Sequence, residues 1–175
     1  MATSPLVVGI ESCASQPPAM LRGKPLGLLM NRASVDVQLN LACDVINRAF
    51  PGQLRSIFTP QHGLWGDAQA NMVETASSVH ERMRIPVHSL YSATRRPTPE
   101  MLSDVEYLLV DLQDVGTRVY TFIWTLLECM KACQELGITV VILDRPNPLG
   151  GRVVEGPLLN SDCISFVGGS CIPMR

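Results

Sequence analysis

Tyr107-Leu108-Leu109-Val110-Asp111 runs almost wholly apolar until it stops on a carboxylate, and Thr139-Val140-Val141-Ile142-Leu143-Asp144 does the same thirty-odd residues later. Between them, Thr121–Leu136 places Ile123, Leu126, Leu127 and Met130 at helical spacing, and Gly137 stands where a helix C-cap belongs. A strand with no polar side has no face for water, so both of its faces must be covered. Strand, helix and strand of this kind make a βαβ unit of a parallel sheet.

Working outward, Pro25–Met30, Leu54–Phe58 and Pro86–Leu90 are further short β-branched or leucine-rich runs that read as strands. Val37–Phe50 carries Leu41, Val45, Ile46 and Ala49 at helical spacing, and Thr98-Pro99-Glu100 reads as a Thr cap with Pro at the first position of a short helix. Parallel crossovers are right-handed, so the simplest assembly is an α/β, Rossmann-like, doubly wound and mainly parallel sheet with helices on both faces. The pattern carries the domain over residues 1–157 and weakens after Gly156.

Composition narrows the function. The chain has 175 residues, 46% hydrophobic, with 14 Lys+Arg against 16 Asp+Glu. Its basic residues are scattered, and Arg95-Arg96 is too short to track a phosphate backbone, which speaks against a nucleic-acid partner. No apolar run approaches the roughly eighteen residues of a membrane-spanning helix, so no membrane insertion is expected. Residues 1–10 lack the basic flank and apolar core of a signal peptide, and the expectation from the sequence as given is cytoplasmic. Cys129 and Cys133 would share a helix face, but no second pair has ligand spacing, so these are read as small buried hydrophobes and no metal is expected.

In such a sheet the functional side chains gather beyond the carboxyl ends of the strands. There the sequence offers Asn31-Arg32 after the first strand, the loop Gln61-His62-Gly63-Leu64-Trp65-Gly66-Asp67 after the second and Tyr91 after the third. Asp111 to Tyr120 follow the fourth, and Asp144-Arg145-Pro146-Asn147-Pro148 follow the fifth. There is no Gly-x-Gly-x-x-Gly, no Gly-Lys-Ser/Thr and no Gly-x-Ser-x-Gly, which disfavours dinucleotide, phosphate and serine-hydrolase chemistry. The remaining constellation of amides, carboxylates, a guanidinium and phenols suits a sugar or another hydroxylated ligand. Two carboxylates near a cleft serve glycosidic hydrolysis, and His62 can act as acid or base near neutral pH. The competing structural reading is that Asp111 or Asp144 caps a helix or pairs with Arg118 or Arg145, and that the His62 loop is a polar connection with one buried Trp.

Taken together, Gly27–Asn31, Phe58–Asp67, Pro86–Tyr91, Arg96–Leu102, Asp111–Thr121, Leu143–Pro148 and Val154–Pro157 resemble successive motifs of the NamZ-type exo-β-N-acetylmuramidases. These glycoside hydrolases were long known only as a domain of unknown function. The resemblance implies a Rossmann-like N-terminal domain, an active cleft shared with a smaller C-terminal domain, and release of N-acetylmuramic acid from the non-reducing ends of peptidoglycan fragments. It implies no cofactor, and the family commonly works in the periplasm or outside the cell. On this reading residues 158–175 begin the connection to a C-terminal domain, present as a further domain or as a partner chain.

One departure stands out. Where the family motif reads Pro-Glu-His-Gly, with the Glu as proposed acid/base, this chain has Pro60-Gln61-His62-Gly63. An amide has no exchangeable acidic proton, so either His62, Asp67 or Glu74 takes that role while Gln61 orients substrate, or the chain is an impaired muropeptide-binding module or half of a split enzyme. Asp111 and Asp114 are the carboxylates expected to polarise an acetamido group. Asn31, Tyr91, Tyr120 and Asn147 are expected substrate contacts, with Arg118 first and Arg145 second for the lactyl carboxylate.

Overall fold

The computed structural model describes residues 6–66 and 74–175, and the fold is built around one central strand. That strand, β1 (Leu26–Met30), is buried along its whole length. It pairs in parallel with β2 (Leu54–Thr59) on one side and β5 (Tyr107–Asp111) on the other, Leu28 lying opposite Ile57 and Leu109. Outside these lie β4 (Pro86–Ser89), parallel to β2, and β6 (Thr139–Ile142), parallel to β5. A two-residue strand, β3 (Ser78–Val79), runs antiparallel along the outer edge of β4 and completes the order β3-β4-β2-β1-β5-β6. The chain builds outward through β2 and β4, then crosses back to β5 beside β1. Rossmann-like sheets change direction in this way, and the crevice between the two halves opens at the carboxyl ends of the central strands.

Alternation along the strands sorts the core onto two faces. Leu26, Leu28 and Met30 pack with Ile10 and Cys13 of α1 (Gly9–Ser15) and with Ala42, Val45 and Ile46 of α2 (Ala42–Ala49). Leu29, Phe58, Leu108 and Val110 face the other way, onto Cys129, Ala132 and Cys133 of α3 (Phe122–Leu136). Fully burying one such leucine contributes about 1.5–3 kcal/mol. Burial also raises the thiols of Cys129 and Cys133, which act as core residues. Among the described residues no group of three His, Cys, Asp or Glu side chains could hold a metal ion, and no helix is long and apolar enough to cross a membrane.

All five expected strands form, and α3 ends as read, with Gly137 left-handed at φ 70°. Two helix expectations change. The Val37–Phe50 helix begins only at Ala42, because the Asp36 carboxylate captures the amides of Gln38 and Asn40 at 3.0 and 2.8 Å and holds them in a turn. Thr98 Oγ1 accepts from the Met101 amide as a cap would, yet the turns from Pro99 to Val105 never settle into a helix before β5 begins.

Candidate functional site at the carboxyl edge of the sheet

Beyond the ends of β1 and β2 lies an open cavity of about 480 Å³, lined by Asn31, Arg32, Gln61, His62, Tyr120 and Phe122 among others. Three segments meet there: the turn after β1, the loop after β2 and the approach to α3. In the first turn Asn31 Oδ1 accepts from the Ala33 amide at 3.1 Å, which fixes the side chain at the cavity rim. In the second, His62 sits in the left-handed region at φ 75° and Gly63 follows at φ 70°. A left-handed non-glycine residue stores strain that surrounding structure must hold in place, and such residues cluster at working sites. The third segment supplies Thr121, whose Oγ1 donates to Gln61 Oε1 at 3.2 Å and ties the β2 loop to the start of α3.

Tyr120 completes the wall. Its ring packs on Phe122 with centroids 4.6 Å apart. Burial raises its phenol above the ordinary range, and the nearby Asp114 carboxylate adds to the shift. Asp114 itself accepts from the Gly116 amide at 2.9 Å and, with Arg118 and Asn147, lines a neighbouring cavity of about 280 Å³. The expected contacts therefore divide: Asn31, Gln61, His62 and Tyr120 share one cavity, while Asp114, Arg118 and Asn147 share the next.

Two residues expected near the chemistry sit deeper. Asp111, at the end of β5, is fully buried, and Arg145 grips both its oxygens, Nε to Oδ1 at 2.5 Å and Nη2 to Oδ2 at 2.8 Å. Arg145 Nη2 also donates to the Val35 carbonyl at 2.7 Å, and Ser34 Oγ donates to the Asp111 carbonyl. Burial pushes the Asp111 carboxyl up, against the opposing pull of Arg145. The pair thus pins the turn after β1 to the ends of β5 and β6, directly beneath the crevice. It matches the structural pairing raised as the competing reading of these residues.

Arg118 is similarly engaged. Its Nη1 donates to the Pro157 carbonyl at 3.0 Å and to the Ile172 carbonyl at 2.6 Å, and its amide donates to the Met174 carbonyl at 2.7 Å. Residues 155–175 are thereby drawn back over the loop after β5. Tyr91 is buried, with the Arg95 guanidinium 3.7 Å from its ring centroid and Phe166 at 5.2 Å, and it does not line the 480 Å³ cavity. Asp67 lies outside the described residues. Trp65 is not buried: half of it is exposed, and the Arg32 guanidinium lies 5.7 Å from its ring centroid.

Sequence reasoning passed over Thr121 and Phe122 as site residues, and it placed Arg32 at this edge without giving it a role. Phe122 and Thr121 read as helix, and only their position immediately after Tyr120 signals that α3 starts at the cavity. Arg32 stands beside Asn31 on the same turn.

A family model described as the N-terminal part of exo-β-N-acetylmuramidase NamZ matches residues 26–175. The chain belongs to this family. It is 44% identical over 167 residues to the peptidoglycan β-N-acetylmuramidase NamZ of Bacillus subtilis, an alignment covering 95% of this chain and 40% of that protein. Two crystal structures of DUF1343 family proteins from Bacteroides fragilis share the fold. One has a TM-score of 0.85 at 38% identity, covering 95% of this chain and 41% of the other. The second has a TM-score of 0.79 at 30% identity, covering 98% and 43%. The chain therefore spans about two fifths of the length of the NamZ-family proteins it matches.

Proposed function

We propose that this chain is the saccharide-binding, Rossmann-like part of a peptidoglycan β-N-acetylmuramidase that releases N-acetylmuramic acid from the non-reducing ends of peptidoglycan fragments. The observation that carries the reading is the 480 Å³ cavity at the topological switch of the sheet, where two amides, an imidazole and a phenol converge in a chain 44% identical to a named muramidase. Asn31 and Gln61 offer paired donors and acceptors to sugar hydroxyls and to the acetamido group, and Tyr120 adds a phenol that burial keeps protonated. Glycosidic cleavage passes through an oxocarbenium-like state and needs a proton delivered to the leaving oxygen. Gln61 has none to give, so His62 is the proton carrier of this cavity and Gln61 the orienting group. Residues 1–157 form the domain, and 158–175 lead toward the remaining part of the protein, which closes the cleft.

The test is hydrolysis of a chromogenic β-N-acetylmuraminide by the complete protein, beside the matching β-N-acetylglucosaminide. Turnover confined to the muraminide is the expected result. Failure to turn over or bind either sugar overturns the reading.

A second reading is favoured by one observation, the amide at position 61 held by the Thr121 hydroxyl. On that reading the chain is a muropeptide-binding module, and the same assay gives binding of the muraminide without cleavage.

A further inference from the structure

Muramic acid differs from glucosamine by a lactyl ether that carries a carboxylate, so a site selective for it needs a cation with unused donors. Among the guanidiniums at the carboxyl edge, Arg145 is committed to Asp111 and Val35, and Arg118 to the carbonyls of Pro157 and Ile172. Arg32 is different. It is exposed, it lines the cavity that also holds Gln61 and His62, and it makes no hydrogen bond or ion pair among the described residues. Among the described residues its guanidinium faces the half-exposed ring of Trp65, 5.7 Å from guanidinium carbon to ring centroid. A guanidinium laid over an indole keeps the donors in its own plane available, and the ring restrains its orientation.

The geometry points to Arg32, positioned by Trp65, as the residue that recognises the lactyl carboxylate and so sets selectivity for the acidic sugar. The inference rests on the muramidase reading of the cavity and deepens it. The planar fork meets the carboxylate through two parallel N–H···O bonds, which a lysine at this position reproduces only as a point charge. Because Arg32 is exposed, the selectivity weakens as salt rises.

The experiment is calorimetric binding of N-acetylmuramic acid and of its methyl ester, which has nearly the same shape without the charge, to the complete protein and to its Arg32→Gln and Arg32→Lys variants. The wild-type chain is expected to favour the acid by roughly tenfold or more, the scale of hydrogen bonds to a charged group. Arg32→Gln is expected to erase that preference by weakening the acid alone, with ester binding unchanged and thus reporting an intact fold. Arg32→Lys is expected to fall between. An acid-to-ester ratio that survives Arg32→Gln overturns the assignment while leaving the sugar site standing, and so does a wild-type chain that binds the two equally. A wild-type chain that binds neither overturns the muramidase reading and this assignment with it.

Discussion

Thr121 Oγ1 donates a 3.2 Å hydrogen bond to Gln61 Oε1, joining the loop after β2 to the residue that opens α3. The bond matters because it fixes the head of the side chain at the position where the family motif carries a glutamate. A carboxylate would accept from the same hydroxyl in the same place, so the scaffold already holds position 61 as a general acid would need to be held.

Gln61→Glu is therefore expected to raise muraminide hydrolysis by about 10²–10⁴, the usual contribution of a positioned general acid. Thr121→Val in the same background should give back part of that gain by letting the carboxyl wander. Steady-state rates on the chromogenic muraminide measure both. A Gln61→Glu protein no faster than a parent that already turns the sugar over would keep the proton with His62, and one that binds the sugar without any turnover would leave the binding-module reading as the better one.

Asp111 and Arg145 govern stability. Removing one partner leaves a charge stranded in a site where Asp111 is fully buried and the Arg145 side chain is 9% exposed. Asp111→Ala is expected to cost about 3–5 kcal/mol in urea denaturation. Asp111→Leu combined with Arg145→Met should cost markedly less, because it strands neither charge. Equal losses for the single and double replacements would show that the pair is not what pins these loops.

How much of this could be read from the sequence follows from what each signal depends on. Leu108, Leu109 and Val110 announce a strand by themselves, since an uninterrupted apolar run has one way to be buried on both faces; all five expected strands are present, but the equally apolar β6 lies at the sheet edge, with Ile142 half exposed rather than covered on both faces. The start of α2 is not legible, because a side-chain turn at Asp36 outcompetes a helical pattern whose spacing runs back through Leu41 from Val45 and Ile46. At the site, residue type located the edge but not the partners. Asp111, Arg118 and Arg145 have the chemistry of a sugar site, yet long-range contacts to Val35, Pro157 and Ile172 engage the two arginines, and no local spacing encodes those. Asn31, Gln61, His62 and Tyr120 meet at one cavity because each lies within a few residues of a strand end or helix start, a property that the sequence does carry.

Gly63 has two reasons to be glycine. Its φ of 70° lies in the left-handed region, and a Cβ there would stand 2.6 Å from Thr75 Cγ2. Gly63→Ala should cost at least the ~1–2 kcal/mol of a left-handed alanine. Because the neighbouring His62 shares the strained turn, sugar binding should fall as well. Thermal melting read alongside calorimetry on the same sample tests this, and an alanine variant with unchanged melting would show that the turn can relax.

Tyr120 gives the pH dependence. Its phenol is raised first by burial and second by Asp114, so the folded chain holds the proton at a pH where the unfolded chain, with an ordinary phenol near ~10, has begun to release it. The stability linked to this proton is therefore fully present below the unfolded value and lost as pH rises through the folded one. Phenolate absorbance should show a late step from Tyr120, and Tyr120→Phe should delete that step. Asp114→Asn should lower it only part of the way, because burial, the larger cause, stays in place. If Asp114→Asn restored an ordinary phenol, charge rather than burial would be the dominant influence on Tyr120, and Asp114 would then act directly on the sugar cavity instead of from the neighbouring one.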